Sequence, residues 1–271
     1  MFNVMKEIWR DHKGNFSQIF KMAKADLIKT YRGAALGWSW ALLRPALTLF
    51  TYWFAFNFGL RSGGDVNGYP FFLWLALGIT PWFYMSDMLH GGTESIRKYK
   101  YLVNKMKFPV SVIPTFVSVS KLMVNLILML LVLVIFWCSG YAPTIYYLQL
   151  PFYLLCSFAF WTLWAQLASL LAAVSKDFLN LVKSFVTPLF WLSGILWNAD
   201  TLQAKSGWLS WVLKCNPVTF IISGFRDCLI YERWFFEGID KVLIFIGWLL
   251  IMWLLSVWAY QRLRKEIPDV L

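Results

Sequence analysis

Side chains that could carry out chemistry are sparse and scattered along this chain. It contains no G-x-x-x-x-G-K-[ST] segment, the motif whose backbone amides and lysine hold the phosphates of ATP. Its two histidines, His12 and His90, lack the close spacing that metal ligands share in sequence. No pair of carboxylates stands where acid–base catalysis could be argued. We therefore expect neither a catalytic site nor a cofactor bound by this chain itself.

Charged residues interrupt some of the long apolar stretches, among them Arg44, Asp87 and Lys121. A charge inside a membrane-spanning stretch is costly, and it is a functional hypothesis by default. We predict that Arg44, with Lys29 and Arg32 just before the first stretch, binds an anionic phosphate group. Asp87 and Lys121 lie at similar depth in consecutive stretches, and we expect them to form an ion pair.

Aromatic side chains are the second prominent group, since 17 Trp, 24 Phe and 12 Tyr make up 20% of the chain. Rings near the ends of apolar stretches are typical of a membrane interface. A Trp or Tyr deeper inside offers a flat apolar face and one polar atom, which suits contact with moving sugar rings. Packing against lipid or the protein core is the alternative for each ring. The residues predicted to line such a passage are Trp38, Tyr52, Trp53, Phe56, Trp82 and Trp161.

The segment 91–111 is polar and carries an amphipathic pattern. Ile96, Tyr99 and Leu102 recur at helical spacing, lysines occupy the other side, and Pro109 ends the pattern. This predicts a short helix running across the membrane surface, where a cytoplasmic partner could dock. The alternative is an interfacial loop held in place by its positive charges.

The composition indicates the class of protein that these elements belong to. Hydrophobic residues are 59% of the 271 residues and charged residues 14%, whereas soluble domains are about half apolar and a quarter charged. A soluble domain, a disordered chain and, with 4 Cys, a secreted disulfide scaffold are excluded. We predict an all-α integral membrane protein with a single transmembrane domain over 36–271. A span needs about 20 apolar residues, and six segments qualify: 36–60, 70–90, 112–138, 150–174, 180–197 and 239–260.

Two more segments are predicted to be helical without crossing the membrane. Residues 1–35 are basic and amphipathic, with Phe16, Ile19 and Leu27 at helical spacing. This favours a helix lying on the membrane surface, the alternative being a helix packed on a partner. Residues 207–230 are apolar but broken by polar residues, Pro and Gly, which predicts a pair of re-entrant helices before the last span.

The net charge is +11, and the distribution of the basic residues along the chain indicates its orientation in the membrane. If both termini are inside, the inner segments carry nearly three times as many Lys and Arg as the outer ones. By the positive-inside rule, both termini are then cytoplasmic. The same distribution argues against nucleic-acid binding, which needs a basic patch facing water.

Residues 36–45 read LGWSWALLRP. They resemble the L-G-x-x-W-x-x-L-x-P that opens the first span of the ABC-2-type polysaccharide exporter permeases. Residues 105–109, KMKFP, followed by Ile113-Pro114, are similar to their cytoplasmic K-x-x-F-P…I-P loop. The N-P…R…Y pattern before their last span is matched by Asn216-Pro217, Phe225-Arg226 and Tyr231.

Within this family, the likeness is greatest to the wall teichoic acid translocation permeases. Capsule and O-antigen permeases share the general motifs, so a capsular polysaccharide or O-antigen exporter is the alternative. Arg44 departs from the resemblance, because the position before that proline is variable. The segments shared with the teichoic acid subgroup are Tyr52-Trp53, GLRS at 59–62, SVIPT at 111–115 and DVL at 269–271.

The resemblance implies half of an exporter in the bacterial cytoplasmic membrane. Two copies of this chain would join two copies of a separate P-loop ATPase, which would bind ATP and Mg. The substrate would be a polyprenyl-pyrophosphate-linked glycopolymer that leaves the inner leaflet, among membrane lipid, through a passage between the two copies. Residues 1–35 would form a gate helix.

The resemblance also implies roles for particular residues. Asn216, Pro217 and Arg226, in the re-entrant segment, would belong to an external gate. Residues 91–108 would be the coupling helix, seated in a cleft of the ATPase. Its coupling residues would be Glu94, Arg97, Lys98, Tyr99, Leu102, Lys105 and Phe108.

Other functions compete with this interpretation. A drug- or lipid-exporting ABC-2 permease would share the fold and need fewer Trp and Tyr inside its spans. A membrane glycosyltransferase would need carboxylates at the membrane edge, and Asp87 and Glu94 are the candidates. An ion channel would need a charged ring or a filter loop. A disulfide between Cys215 and Cys228 is open, because spacing alone cannot establish its geometry.

Overall fold

The computed structural model describes residues 2–33, 35–59, 64–106, 108–197 and 207–267, and all of its regular structure is helical. Some motif residues, at 60–62, 107 and 269–271, lie outside this description. The predicted all-α fold is confirmed. Its helices are α1 (Phe2–Gly14), α2 (Phe16–Tyr31), α3 (Trp40–Phe54), α4 (Phe71–Asp87), α5 (Thr93–Lys98), α6 (Lys100–Met106), α7 (Val112–Cys138), α8 (Leu150–Val174), α9 (Lys176–Leu192), α10 (Gly207–Cys215), α11 (Pro217–Arg226) and α12 (Ile239–Leu263).

In the described part of the chain, three helices are long and apolar enough to cross a membrane. They are Val112–Cys138, Ile145–Val174 and Phe235–Leu263, the last two counted with the short turns that lead into α8 and α12. The helices α3, α4 and α9 have 15, 17 and 17 residues, fewer than the roughly 20 that a straight span needs. Six spans therefore remain a prediction.

Helix α4 forms the centre of the fold. Every residue from Leu73 to Trp82 is buried, and the helix packs on α3, α7 and α11. A helix that is apolar all round has no side suited to water, so it takes the central position. The long helix α8 forms the second axis, between α12 and α5.

Helices α1 and α2 enclose a second apolar core with α5, α6 and the start of α7. From α2, Ile19 and Ala23 are buried in this core, and Leu27 on the same helix is also buried. Phe16 and Phe20 stay exposed, with ring centroids 5.2 Å apart. The chain itself therefore covers part of the apolar stripe that the sequence assigned to the membrane surface. The position of α2 on a membrane remains a prediction.

The segment predicted as re-entrant forms the two short helices α10 and α11, which meet at Asn216. Helix α11 is buried and packs on α4 and α8. Its Gly224 lies against the ring of Tyr153, where an added β-carbon would come within 2.0 Å of a ring carbon. Only a residue without a side chain fits, since such overlap cannot be relieved by a small shift.

Replacing Gly224 by alanine is expected to destabilise the protein by about 2–3 kcal/mol, because the ring of Tyr153 must move within a packed core. Thermal unfolding of the detergent-purified protein measures this. Gly247→Ala is the matched control, since nothing lies within 4 Å of its added β-carbon and alanine favours a helix. Equal unfolding temperatures for the two variants would contradict the packing argument.

Candidate functional site

A cavity of about 570 Å³ opens between α3, α4, α7 and α9, next to the end of α2. Its charged side chains are Arg44, Asp87 and Lys121, so the three charges singled out in sequence line one space. Tyr52, also in the wall, lies eight residues beyond Arg44, about 12 Å along the helix axis. The cavity therefore has a charged part near α2 and an aromatic part further along α3.

The charged part contains two cations and one anion. Lys121 Nζ lies 3.5 Å from Asp87 Oδ2, which is the ion pair predicted from the sequence. Arg44 is exposed and makes no ion pair with any described carboxylate. A guanidinium without a counter-ion, facing a cavity beside a Lys–Asp pair, attracts an anionic group.

The aromatic part is built from three rings that contact one another in a row. Phe190 lies between Tyr52 and Trp82, with ring centroids 5.5 Å and 5.4 Å away. Of the aromatic residues predicted to line a passage, Tyr52 and Trp82 share this wall. Such tilted ring contacts leave edges and faces available to a neutral, partly apolar ligand such as a sugar.

The other predicted passage residues lie elsewhere. Trp38 is exposed and contacts the ring of Tyr31 at 5.4 Å. The ring of Trp53 contacts the nearby rings of Phe50 and Phe58, and the ring of Phe56 contacts that of Phe71. Trp161 is buried in the subunit core. The structure therefore brings two of the six residues together at the cavity.

The basic residues at the end of α2 are exposed, and neither Lys29 nor Arg32 lines the cavity. Lys29 Nζ instead lies 5.7 Å from the centre of the Tyr99 ring. Thr30 and Tyr31, between them in sequence, do line the cavity. Sequence reasoning missed Tyr31 as a site residue because it continues the apolar spacing of α2.

A buried carboxylate joins α2 to the predicted coupling helix. Asp26, 1% exposed, accepts hydrogen bonds from Lys98 Nζ at 2.7 Å and from the Tyr99 hydroxyl. Burial raises the pKa of Asp26, but the hydrogen bonds from Lys98 and Tyr99 and the Lys98 charge lower it more, so it stays below its ordinary value. Asp26 is a stable anion in the joint between the two helices.

The predicted coupling helix is in fact two short helices, α5 and α6, with a break at Tyr99. Tyr99 and Leu102 point into the chain, each 3% exposed, while Lys105 is exposed. Arg97 donates to the carbonyls of Ala172 and Ala173, at the end of α8. The α5–α6 segment is thus fixed to the rest of the chain on one side and exposed on the other.

Two further coupling residues lie at the ends of the α5–α6 segment. Glu94 pairs with Lys183 of α9 at 3.5 Å. Phe108, half-buried, donates its backbone N–H to the Leu102 carbonyl at 3.0 Å, at the end of α6.

The predicted external-gate residues converge on the turn 193–195, at the end of α9. Asn216 donates to Ser193 Oγ at 3.0 Å, and its own Oδ1 caps α11 by accepting from Val218 N–H, with Pro217 between them. Arg226 donates to the carbonyls of Gly194 and Ile195, at 2.8 Å and 2.6 Å. Its guanidinium lies 3.5 Å from the centre of the Trp74 ring.

The remaining site predictions concern thiols and metals. Cys215 and Cys228 are both free, so the disulfide that the sequence left open is not formed. Among the described residues, no three His, Cys, Asp or Glu side chains come together to hold a metal ion.

Comparison with known proteins decides the family. Residues 17–230 match the family described as ABC-2 type transporter, which is well over half of the chain. The chain belongs to the ABC-2 type transporter family. Membership identifies a membrane protein that works with an ATPase partner, as the resemblance implied.

Among proteins similar to this ABC-2 transporter chain is the O-antigen export system permease protein RfbA of Myxococcus xanthus, 24% identical over 99% of both chains. A protein of the same name from Klebsiella pneumoniae is 23% identical over 94% of this chain and 95% of its own. These matches run over almost the full length of the ABC-2 transporter described above.

Proposed function

We propose that this chain is the membrane permease of a bacterial exporter that moves a polyprenyl-pyrophosphate-linked glycopolymer out of the inner leaflet. The observation that carries the proposal is the cavity with Arg44 and Lys121 near α2 and with Tyr52 and Trp82 in its wall. Cations suit a pyrophosphate group, and aromatic rings suit the sugars attached to it. No nucleic acid takes part in this function.

Two polymers fit this chemistry. Wall teichoic acid is supported by the sequence motifs shared with that subgroup, which include the cavity residue Tyr52. O-antigen is supported by the names of the similar proteins from Myxococcus and Klebsiella. The lipid-linked polymer that raises the rate of ATP hydrolysis by the purified complex identifies the substrate.

The proposed exporter contains two copies of this chain and two copies of a P-loop ATPase, with both termini of this chain cytoplasmic. The exposed side of the α5–α6 segment, where the ATPase docks, carries Lys100, Tyr101, Lys105 and Met106. Asp26 passes the movement of this segment to α2, the proposed gate helix. The native mass of the gently extracted complex tests this composition, and an assembly without an ATPase would contradict it.

Replacing Arg44 by glutamine is expected to lower polymer export about tenfold, since a charge-assisted hydrogen bond to phosphate contributes roughly 1.5–3 kcal/mol. Tyr52→Ala should slow export while complex assembly remains intact. Export is measured as the lipid-linked polymer that crosses vesicles reconstituted with the ATPase. Arg262→Gln, at an exposed site on α12, is the control. Unchanged export by Arg44→Gln and Tyr52→Ala would contradict the proposed site.

A further inference from the structure

We propose that Lys121 and Tyr31 complete a diphosphate-binding site with Arg44, and that Asp87 is an internal counter-ion which the diphosphate displaces. The inference deepens the proposed function and rests on it, because it names how the same cavity takes up and releases its anionic ligand. All four side chains line the cavity. They come from four different helices, α2, α3, α4 and α7.

The Lys121–Asp87 pair has the features of an exchangeable contact. The two charged atoms are 3.5 Å apart, longer than a strong charge-assisted hydrogen bond. Asp87 is 45% exposed at its side chain and Lys121 is 16% exposed, so the carboxylate is the more water-accessible member of the pair. An ion pair with a water-accessible member is worth little, and a doubly charged anion can replace it.

Tyr31 supplies a neutral donor in the same cavity as these charges. Burial raises the pKa of its hydroxyl and the Asp87 carboxylate raises it further, while Lys121 and Arg44 lower it, and the net shift is upward. The hydroxyl therefore remains protonated at neutral pH and can donate to a phosphate oxygen. Since Tyr31 is the last residue of α2, it also places the gate helix in contact with the ligand.

The charge balance explains why the cavity contains an acid at all. A diphosphate diester carries two negative charges, which match the two cations once Asp87 has moved aside. When the site is empty, the negative charge of Asp87 balances the positive charge of Lys121. This reduces the free-energy cost of an unpaired amine within the membrane. Because Asp87 competes with the diphosphate for Lys121, it also weakens binding of the diphosphate. A transport site needs this balance, since it must bind its ligand strongly enough to admit it and weakly enough to release it.

The test measures binding of farnesyl-diphosphate-linked N-acetylglucosamine to the full complex in lipid nanodiscs, with farnesol as the control ligand. Lys121→Met should weaken binding of the diphosphate at least tenfold and Tyr31→Phe about threefold, whereas Asp87→Asn should tighten it severalfold. Farnesol affinity should not change in any variant. Lys183→Met is the matched control, because Lys183 also pairs with a carboxylate at 3.5 Å but lies outside the cavity.

The alternative role is a purely structural ion pair, which makes opposite predictions. Asp87→Asn and Lys121→Met would then each lower the unfolding temperature, the double variant would restore it, and Asp87→Asn would not tighten binding. Such a result, or unchanged diphosphate binding in Lys121→Met, would overturn the inference. If the wild-type complex binds the diphosphate no better than farnesol, the proposed function itself fails. The two failures are thus distinguishable.

Discussion

Replacing Asp26 by alanine is expected to reduce the polymer exported per ATP hydrolysed by about tenfold or more, since hydrogen bonds to a charged group contribute roughly 1.5–3 kcal/mol each. The variant removes the hydrogen bonds that Asp26 of α2 accepts from Lys98 and Tyr99 of the α5–α6 segment. Hydrolysis itself should continue, because the ATPase retains its own site. Simultaneous measurement of phosphate release and export in reconstituted vesicles gives the ratio.

The Asp26 experiment needs a control for loss of folding. Lys98 is 37% exposed at its side chain and can be solvated when its partner is lost, so Asp26→Ala should still fold. Glu266→Gln, which changes an exposed acid near the end of α12, controls for charge alone. Equal export per ATP in Asp26→Ala and wild type would contradict the proposed link between the α5–α6 segment and the gate helix.

The contribution of Asp26 to stability should also depend on pH. Its folded pKa lies below the ordinary value of 3.8, so the native state favours the ionised form. The stabilisation is fully present above the ordinary pKa and is lost as the pH falls through the lowered one. The difference in unfolding temperature between wild type and Asp26→Ala should therefore shrink below about pH 4.

The class of fold and the family could be predicted from the sequence. A composition with 59% hydrophobic and 14% charged residues leaves helices in a membrane as the physical solution, and the structure is all-helical. The motifs around Pro45, Pro109 and Asn216 indicated the family, and the match over 17–230 confirms it. The particular polymer remains a proposal, because one fold and one set of general motifs serve several polymers.

The site residues were harder to predict, because their roles depend on neighbours distant in sequence. Asp26 lies 72 residues from Lys98, and nothing local in α2 shows that an acid on its apolar side will meet a lysine. The sequence pattern of the α5–α6 segment predicted an apolar side but not what would cover it, so Tyr99 was expected to couple to the ATPase. A helical period gives the faces of a helix and leaves their partners undetermined.

The aromatic residues show the same limit. Tyr52 and Trp82 reach one cavity because α3 and α4 turn those faces toward α9, whereas Trp161 turns into the subunit core. Nothing in the residue type distinguishes the three rings. Charges were more informative, since Arg44, Asp87 and Lys121 all line the cavity. Unpaired burial is far more costly for a charge than for a ring, so charges in apolar helices gather where water or a partner is present.

Replacing Arg226 by methionine is expected to cost about 3–5 kcal/mol of stability, the range found when one partner of a buried charged contact is removed. The side chain is 4% exposed, and its bonds to Gly194 and Ile195 tie α11 to the end of α9. Methionine has a similar length but cannot donate, so both carbonyls lose their charged donor and the Trp74 ring loses its stacked cation. Chemical unfolding of the purified protein measures the loss.

Comparison with lysine separates charge from geometry at this position. Arg226→Lys keeps the positive charge but not the planar guanidinium that reaches two carbonyls at once. Its loss of stability should therefore be more than half of the loss in Arg226→Met. Arg262→Met, at an exposed site, should change stability by less than about 0.5 kcal/mol. If Arg226→Met lowers the free energy of unfolding by less than about 1 kcal/mol, then Asn216 and Thr219 hold the turn 193–195 without Arg226. A large loss shared by Arg226→Met and Arg226→Lys would show that the contact with two carbonyls, rather than the positive charge, holds α11 to the end of α9.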